Sequence, residues 1–144
     1  MNVMTRQDRR SGKQVSLLLG MLLAASVPAM AADSAVNGLL NDFSGKGAGP
    51  FTAAAGEALW RKTWPASDGK PRSCTTCHGE DLRKAGRHAV TGKAIEPMAP
   101  SVLASRLQER AEIEKWFLRN CRWTLGRECT AQEKGDLLTY MAAQ

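Results

Sequence analysis

The stretch Cys74-Thr75-Thr76-Cys77-His78 decides the fold of this chain of 144 residues. Two cysteines that are separated by two residues and followed directly by a histidine form the attachment site of c-type haem. This spacing lets both thiols add across the haem vinyl groups, and the adjacent imidazole can then bind the iron from one side. The motif therefore predicts one covalently attached haem c, held by Cys74, Cys77 and His78.

Two other kinds of site use closely spaced cysteines, and the rest of the sequence argues against both. A thioredoxin-like redox pair requires a βαβ unit, and the sequence contains no strand pattern. A zinc site requires a second pair of ligands roughly two to four residues apart, whereas Cys121 and Cys129 are eight residues apart. In an exported protein this remaining pair is expected to form a disulfide, with two buried free thiols as the alternative.

The beginning of the chain is typical of an export signal. Four basic residues among the first thirteen precede an apolar run over Val15 to Val27. Ala29-Met30-Ala31 then places small residues at the two positions that a signal peptidase recognises, which favours a signal over an amphipathic surface helix. We expect cleavage after Ala31, a periplasmic location and a single domain over residues 32–144. No apolar stretch reaches the ~20 residues of a membrane span, so we expect the mature protein not to cross a bilayer.

Composition and charge are those of a folded domain rather than a disordered tail or a nucleic-acid-binding module. Hydrophobic residues make up 43% of the chain and charged residues 24%. The net charge is +6, but the export signal carries four basic residues and one acid, which leaves the mature domain with +3. Because no basic run is interleaved with aromatic residues, we expect no nucleic-acid partner. The remaining positive charge favours docking to an acidic partner or an acidic cofactor, and we expect a monomer.

Hydrophobic spacing predicts an all-α domain. Apolar residues recur at helical intervals, and Thr130 and Glu133 have the spacing of a capping box at the start of the last helix. Segments 65–73 and 86–100 are rich in Gly, Pro and small polar residues, which predicts irregular connections. The predicted helices cover Val36 to Phe43, Thr52 to Thr63, Glu109 to Leu118, and the segment from Thr130 through Met141.

The second axial ligand determines the function. An iron held by strong ligands on both faces carries electrons, whereas one with a weak or free distal face binds small molecules. Met98 lies in a Pro-Met-Ala-Pro run that looks like the methionine loop of class I cytochromes c, but it follows His78 by only 20 residues. Asn120 follows His78 by 42 residues at a predicted helix end, where Asn is common as a cap. We expect His88 at the surface and Met141 in the core, so spacing leaves Met98 and Asn120 comparable.

Most of the mature chain, from about Ala55 to Gln144, resembles the sphaeroides haem protein family of class I-like cytochromes c. The resemblance is densest in segments 73–79, 91–101 and 114–127, which include the Arg-Asn-Cys run that contains Asn120. It implies a class I cytochrome c fold, Asn120 as the distal ligand and a disulfide between Cys121 and Cys129. It also implies that Asn120 leaves the iron on reduction, that ferrous haem then binds oxygen, nitric oxide or carbon monoxide, and that a dihaem or other c-type cytochrome donates electrons.

Ligand chemistry agrees with that implied behaviour. A carboxamide oxygen is a hard, weak ligand that ferric iron tolerates and softer ferrous iron holds poorly. A thioether stays bound in both states and raises the potential. Met98 departs from the leucine of the family pattern, so a conventional electron carrier with His78 and Met98 as ligands remains the alternative.

The resemblance also suggests roles for residues around the haem. Trp116 and Phe117 are expected to line the haem pocket, although core packing explains them nearly as well.

An oxidase, a peroxidase or a nitric oxide-consuming enzyme is a third interpretation, but only Arg119 and His88 are nearby polar candidates for acid–base chemistry, so no enzyme is predicted. The contact between the second and last helices that class I cytochromes use is expected to involve Gly56, Leu59, Trp60, Leu137 and Tyr140.

Overall fold

The computed structural model of the chain describes Met1, residues 29–65 and residues 68–144, and for 29–34 it describes the backbone alone. The predicted export signal up to residue 28 lies outside the described residues. The all-α prediction is confirmed: helices dominate the described residues, and none of these helices is long and apolar enough to cross a membrane. The elements are α1 (Ala29–Gly45), α2 (Ala53–Arg61), α3 (Thr75–His78), β1 (Gly86–Arg87), β2 (Ala94–Ile95), α4 (Arg110–Leu125) and α5 (Ala131–Ala142).

Helices α2 and α5 cross at close range, and this contact is the main packing interface. A methyl group on Gly56 would overlap the carbonyl oxygen of Asp136, so only glycine lets the two backbones approach this closely. The buried rings of Trp60 and Tyr140 pack beside the crossing with their centroids 6.1 Å apart. Asp136 Oδ1 accepts a hydrogen bond from Thr52 N at 2.9 Å, which joins the start of α2 to α5. The expected contact between these helices is confirmed.

Both of these helices begin with a side-chain cap. Thr52 Oγ1 accepts a hydrogen bond from Ala55 N at 3.1 Å at the start of α2. At the start of α5, Thr130 Oγ1 accepts from Glu133 N at 3.2 Å, and the Glu133 carboxylate accepts from Thr130 N at 2.9 Å. This is the capping box that the sequence predicts, and each bond satisfies an amide that has no partner within the helix.

Helix α4 extends beyond its predicted end at Leu118. It continues to Leu125 and stops at Gly126, whose φ of 74° is the left-handed conformation that ends many helices. The prediction that Asn120 lies at a helix end is therefore wrong, because this residue lies inside α4. Cys121, which follows the predicted end of the helix, also lies inside α4. The buried stripe of α4 consists of Ile113, Phe117, Cys121 and Thr124.

The connection over 86–100 was predicted to be irregular, and part of it is a hairpin. Strands β1 and β2 are antiparallel and pair Gly86 with Ile95 and Arg87 with Ala94. Two residues per strand are too few to produce an alternating pattern in the sequence. Helix α1 packs on α5 and α4, and the side chains of Leu39 and Leu138 are fully buried in this core.

Candidate haem site

The two cysteines and the histidine of the motif lie on a single helical turn. The carbonyl oxygen of Cys74 accepts hydrogen bonds from Cys77 N at 3.4 Å and His78 N at 3.1 Å. Ser73 N donates to Thr76 Oγ1 at 2.9 Å and fixes the start of this turn. Both thiols are free and half-buried. The turn therefore presents two unpaired thiols and one imidazole within five residues.

The environment of His78 keeps its imidazole neutral. Burial, together with the charge of Arg106, lowers the pKa of His78 to about 4. Nδ1 of this ring is buried and has no hydrogen-bond partner among the described residues. The Trp60 ring lies 5.5 Å away between centroids, and Trp60 Nε1 donates to the carbonyl oxygen of Gly79 at 3.1 Å. A neutral imidazole is the form that binds a metal.

Both thiols are free, as covalent haem attachment requires. Burial raises the pKa of Cys74 to about 11, so this sulfur is a neutral thiol at neutral pH. Ala89 N donates a hydrogen bond to Cys77 Sγ at 3.4 Å. Two free thiols at the vinyl spacing and a buried neutral imidazole match the needs of haem c, so the residues fit this cofactor.

Strand β1 closes against the motif through a glycine that the sequence analysis did not single out. A methyl group on Gly86 would overlap the carbonyl oxygen of Cys77 and would lie 2.9 Å from His78 Cα. Only a residue without Cβ fits there. No pattern in the sequence distinguishes Gly86 from other loop glycines.

The segment that contains Met98 is held in place by its backbone. Met98 N and Ala99 N both donate to the carbonyl oxygen of Leu82, at 2.8 and 3.0 Å. Arg106 Nε donates to the carbonyl oxygen of Pro97 at 2.7 Å. Met98 is half-buried and packs against the core. Arg106, which the sequence analysis did not single out, thus holds the Met98 segment and also places its charge near His78.

Asn120 lies exposed on α4, next to the buried Cys121. A disulfide joins Cys121 to Cys129 with a Cα–Cα distance of 5.5 Å, which connects α4 to the residues that precede α5. Arg72 Nη1 donates to the carbonyl oxygen of Trp123 at 3.0 Å, and its guanidinium lies 4.3 Å from the centre of the Trp123 ring. Two contacts therefore restrain α4 near Asn120, and the second reaches the residue two positions before Cys74.

The structure brings the predicted site residues together only in part. Cys74, Cys77 and His78 share one turn, whereas Asn120 lies on α4 and Met98 lies in another segment. Among the described residues, no hydrogen bond joins the Asn120 side chain to the motif. Asn120 and Met98 as alternative distal ligands both stay predictions.

The remaining candidates have structural roles in the described residues. His88 is exposed, and its Nδ1 accepts hydrogen bonds from Val90 N at 3.3 Å and Thr91 N at 3.1 Å, which stabilise the hairpin turn. Met141 is buried in the core, as expected. Phe117 is also buried in the core, whereas Trp116 is 46% exposed, so the role of this pair in lining the haem pocket stays a prediction.

Comparison with a family model places most of the chain in one domain family. The model for a domain of unknown function (DUF1924) matches residues 46–141. The cytochrome c-type protein SHP of Cereibacter sphaeroides is 41% identical over 128 residues, which cover 89% of this chain and 97% of the relative. Cytochrome c'' of Methylophilus methylotrophus is 29% identical over 89 residues, which cover 62% of each protein.

Solved structures of the same two proteins resemble this fold. The structure of oxidised SHP, described as an oxygen-binding cytochrome c, has a TM-score of 0.69 at 42% identity and covers 76% of this chain and 96% of that chain. The crystal structure of oxidised cytochrome c'' from Methylophilus methylotrophus has a TM-score of 0.68 at 26% identity and covers 80% of this chain and 95% of that chain. The structural agreement extends well beyond the haem-attachment motif.

Proposed function

Because this chain belongs to the family of the cytochrome c-type protein SHP, we propose that Asn120 binds the ferric iron and leaves it on reduction, which opens the site to oxygen, nitric oxide or carbon monoxide. The chain is a monohaem c-type cytochrome with the all-α cytochrome c fold and one covalent haem c. That haem, when attached, supplies a redox-active iron with one exchangeable coordination position. Cys74 and Cys77 would hold the haem, and the neutral imidazole of His78 would be a ligand of its iron.

The observation that carries the proposal is the position of Asn120 on a restrained helix. The side chain is exposed, while the next residue, Cys121, is buried and bonded to Cys129. The Arg72 contact with Trp123 restrains the same helix three residues further on. Because the backbone is held at both points, the amide can leave by rotation of one side chain without movement of α4. The hard carboxamide oxygen binds ferrous iron poorly, which gives the release its redox dependence.

The cellular setting that we propose follows from the export signal and the redox chemistry. A signal that ends at Ala31 delivers the chain to the periplasm, where covalent haem attachment takes place. The electron donor is a dihaem or another c-type cytochrome. The small size and the charged composition of the chain support a monomer that meets this donor by diffusion.

The test is an absorption spectrum of the matured holoprotein in the ferric form and after dithionite, each with and without carbon monoxide. We expect the reduced protein to be high-spin and to shift at once when carbon monoxide is added. Asn120→Ala should change the ferric spectrum and leave the reduced spectrum unchanged. The matched control is Asn41→Ala, which removes an exposed Asn on α1 and should change neither spectrum. A ferric spectrum that is identical in wild type and Asn120→Ala would overturn the proposal.

A second candidate function is conventional electron transfer with Met98 as the distal ligand. The observation that favours it is the fixed segment around Met98, which Leu82 and Arg106 hold through backbone carbonyl groups. A low-spin reduced spectrum that does not respond to carbon monoxide would support this function, as would a sulfur-to-iron band in the ferric form. Met98→Leu would then abolish that band.

A further inference from the structure

One exposed segment of the molecule carries several basic residues and no acidic residue of its own. Residues 83–95, which we name the cationic hairpin, contain four basic residues and no acidic one. All four are exposed. Only one of them forms an ion pair among the described residues, namely Lys84 with Asp81 at 3.9 Å. The four residues are Arg83, Lys84, Arg87 and Lys93.

Arginines elsewhere in the described residues have a different environment. Six of these seven arginines lie within 4 Å of a carboxylate, so most of their charge is offset locally, and Arg119 is the exception. Neither arginine of the cationic hairpin is paired in this way, and Arg87 Nη1 donates only to the carbonyl oxygen of Gly92, at 3.0 Å. The hairpin therefore groups three basic side chains that have no ion pair among the described residues, whereas the other five such side chains are spread over separate segments. The six paired residues are Arg61, Arg72, Arg106, Arg110, Arg122 and Arg127.

The cationic hairpin lies directly against a haem-attaching cysteine. Ala89 N donates to Cys77 Sγ at 3.4 Å, and Gly86 packs on the carbonyl oxygen of Cys77. An open surface depression of about 450 Å³ runs between the two segments. Residues that line it include Thr75, Thr76, Cys77, Arg87 and Ala94.

We propose that the cationic hairpin is the docking surface for an acidic one-electron donor protein. A donor bound to the hairpin lies close to the cofactor, because the hairpin contacts Cys77 and this residue is a covalent link to the haem. The donor loses one electron and the ferric iron gains it, with no group transferred. Uncompensated charge at such a surface attracts an oppositely charged partner and raises the association rate by roughly 10- to 1,000-fold. The proposal rests on the electron-accepting part of the proposed function.

Stopped-flow reduction of the ferric holoprotein by reduced flavodoxin, an acidic one-electron donor, tests this surface. The variant is Arg83→Gln/Lys93→Gln, because neither side chain is hydrogen-bonded or ion-paired among the described residues. The matched control is Lys46→Gln/Lys70→Gln, which removes the same charge from two exposed residues on other segments. At low ionic strength we expect the second-order rate constant to fall about 5- to 10-fold in the hairpin variant and less than 2-fold in the control.

Ionic strength and a cationic reductant complete the test. The hairpin variant should lose most of the salt dependence of the wild-type rate, because Debye screening acts on the charges that were removed. Its reduction by the small cation hexaammineruthenium(II) should be unchanged or faster. An equal fall in both double variants, or no fall in the hairpin variant, would overturn the proposal. Carbon monoxide binding to the dithionite-reduced variants reports separately on the proposed function, because dithionite bypasses the partner.

Discussion

The proposed proximal and distal sides of the haem site are built from contacts of very different range. The proximal side consists of Cys74, Cys77 and His78, which share one turn. On the proposed distal side, Asn120 lies on α4, which is positioned by its buried stripe, by the disulfide and by a hydrogen bond between residues 51 positions apart. A local turn keeps its ligand in place when a distant contact is lost, whereas a ligand on a tethered helix depends on its tethers. Substitutions on the two sides should therefore differ in their effects on haem attachment and on the ferric spectrum.

Gly86→Ala should have the largest effect, because it acts on the proximal side. The added methyl group would overlap the carbonyl oxygen of Cys77 and crowd His78 Cα, and a backbone atom in a tight turn cannot easily move away. We expect the free energy of unfolding of the holoprotein to fall by about 3 kcal/mol. Haem attached per protein, measured from the haem and protein absorbances, should fall as well. Ala85→Ser, at the exposed neighbouring residue, is the control and should preserve both quantities.

Removal of the disulfide should damage the distal side alone. The double substitution Cys121→Ser/Cys129→Ser opens a loop with a sequence separation of 8, for which chain entropy predicts a loss of about 2–3 kcal/mol in the free energy of unfolding. Haem attachment should remain complete, because no proximal residue is changed. The ferric spectrum should change toward that of Asn120→Ala, because α4 loses the restraint next to Asn120. Incomplete haem attachment, or a ferric spectrum that is the same as that of the wild type, would contradict the comparison between the two sides.

The sequence could predict the features that are set by residues close together in the chain. The haem-attachment turn and the capping box of Thr130 and Glu133 are defined by residues close together in the chain, and both were predicted. The end of α4 was not, because Arg119, Asn120 and Arg122 interrupt the apolar spacing while the buried stripe continues through Cys121.

Contacts between residues that are far apart in the chain leave no pattern in the sequence. The pairing of Arg72 with Trp123 and the hold of Arg106 on the Met98 segment are set by tertiary packing. The same is true of the close approach of Gly86 to Cys77, because nothing in the local sequence specifies which backbone it meets.

Substitution of Arg72 tests the contact between this residue, which lies near Cys74 in the chain, and Trp123 on α4. Arg72→Gln removes the hydrogen bond to the Trp123 carbonyl, the contact with its ring and the ion pair with Asp68 at 2.6 Å. We expect a loss of about 1–2 kcal/mol in the free energy of unfolding and a larger high-spin fraction in the ferric spectrum.

Two further variants distinguish positioning from general loss of stability. Arg72→Lys keeps the charge but not the planar donor, so it should recover stability more than it recovers the ferric spectrum. Arg110→Gln removes an arginine at the start of α4 that pairs with Asp42 on α1 and with Glu114, and it should leave the spectrum unchanged because Arg110 is ten residues from Asn120. Equal spectral changes in Arg72→Gln and Arg110→Gln would show that Arg72 has no positioning role.

Substitution of Glu133 should have the smallest effect on stability. It tests the start of α5, which follows Cys129 of the disulfide. Hydrogen bonds from Arg127 and from Thr130 N, opposed by burial, lower the pKa of the Glu133 carboxyl. Because the pKa in the folded protein is lower than in the unfolded chain, this stabilisation is present above the unfolded pKa and is lost as pH falls through the folded value. In chemical denaturation at a series of pH values, wild type should lose about 0.5–1 kcal/mol from this group below about pH 5.

The Glu133→Gln variant should show a weaker dependence on pH in that range. Glutamine preserves the capping box but carries no charge for Arg127, so its stability at neutral pH should be lower than that of wild type by the same small amount. At acid pH the two proteins should converge. The ferric spectrum should be the same in both at neutral pH, because the disulfide and the Arg72 contact still hold α4. A spectral change in Glu133→Gln would mean that the position of Asn120 depends on α5 as well as on those two tethers.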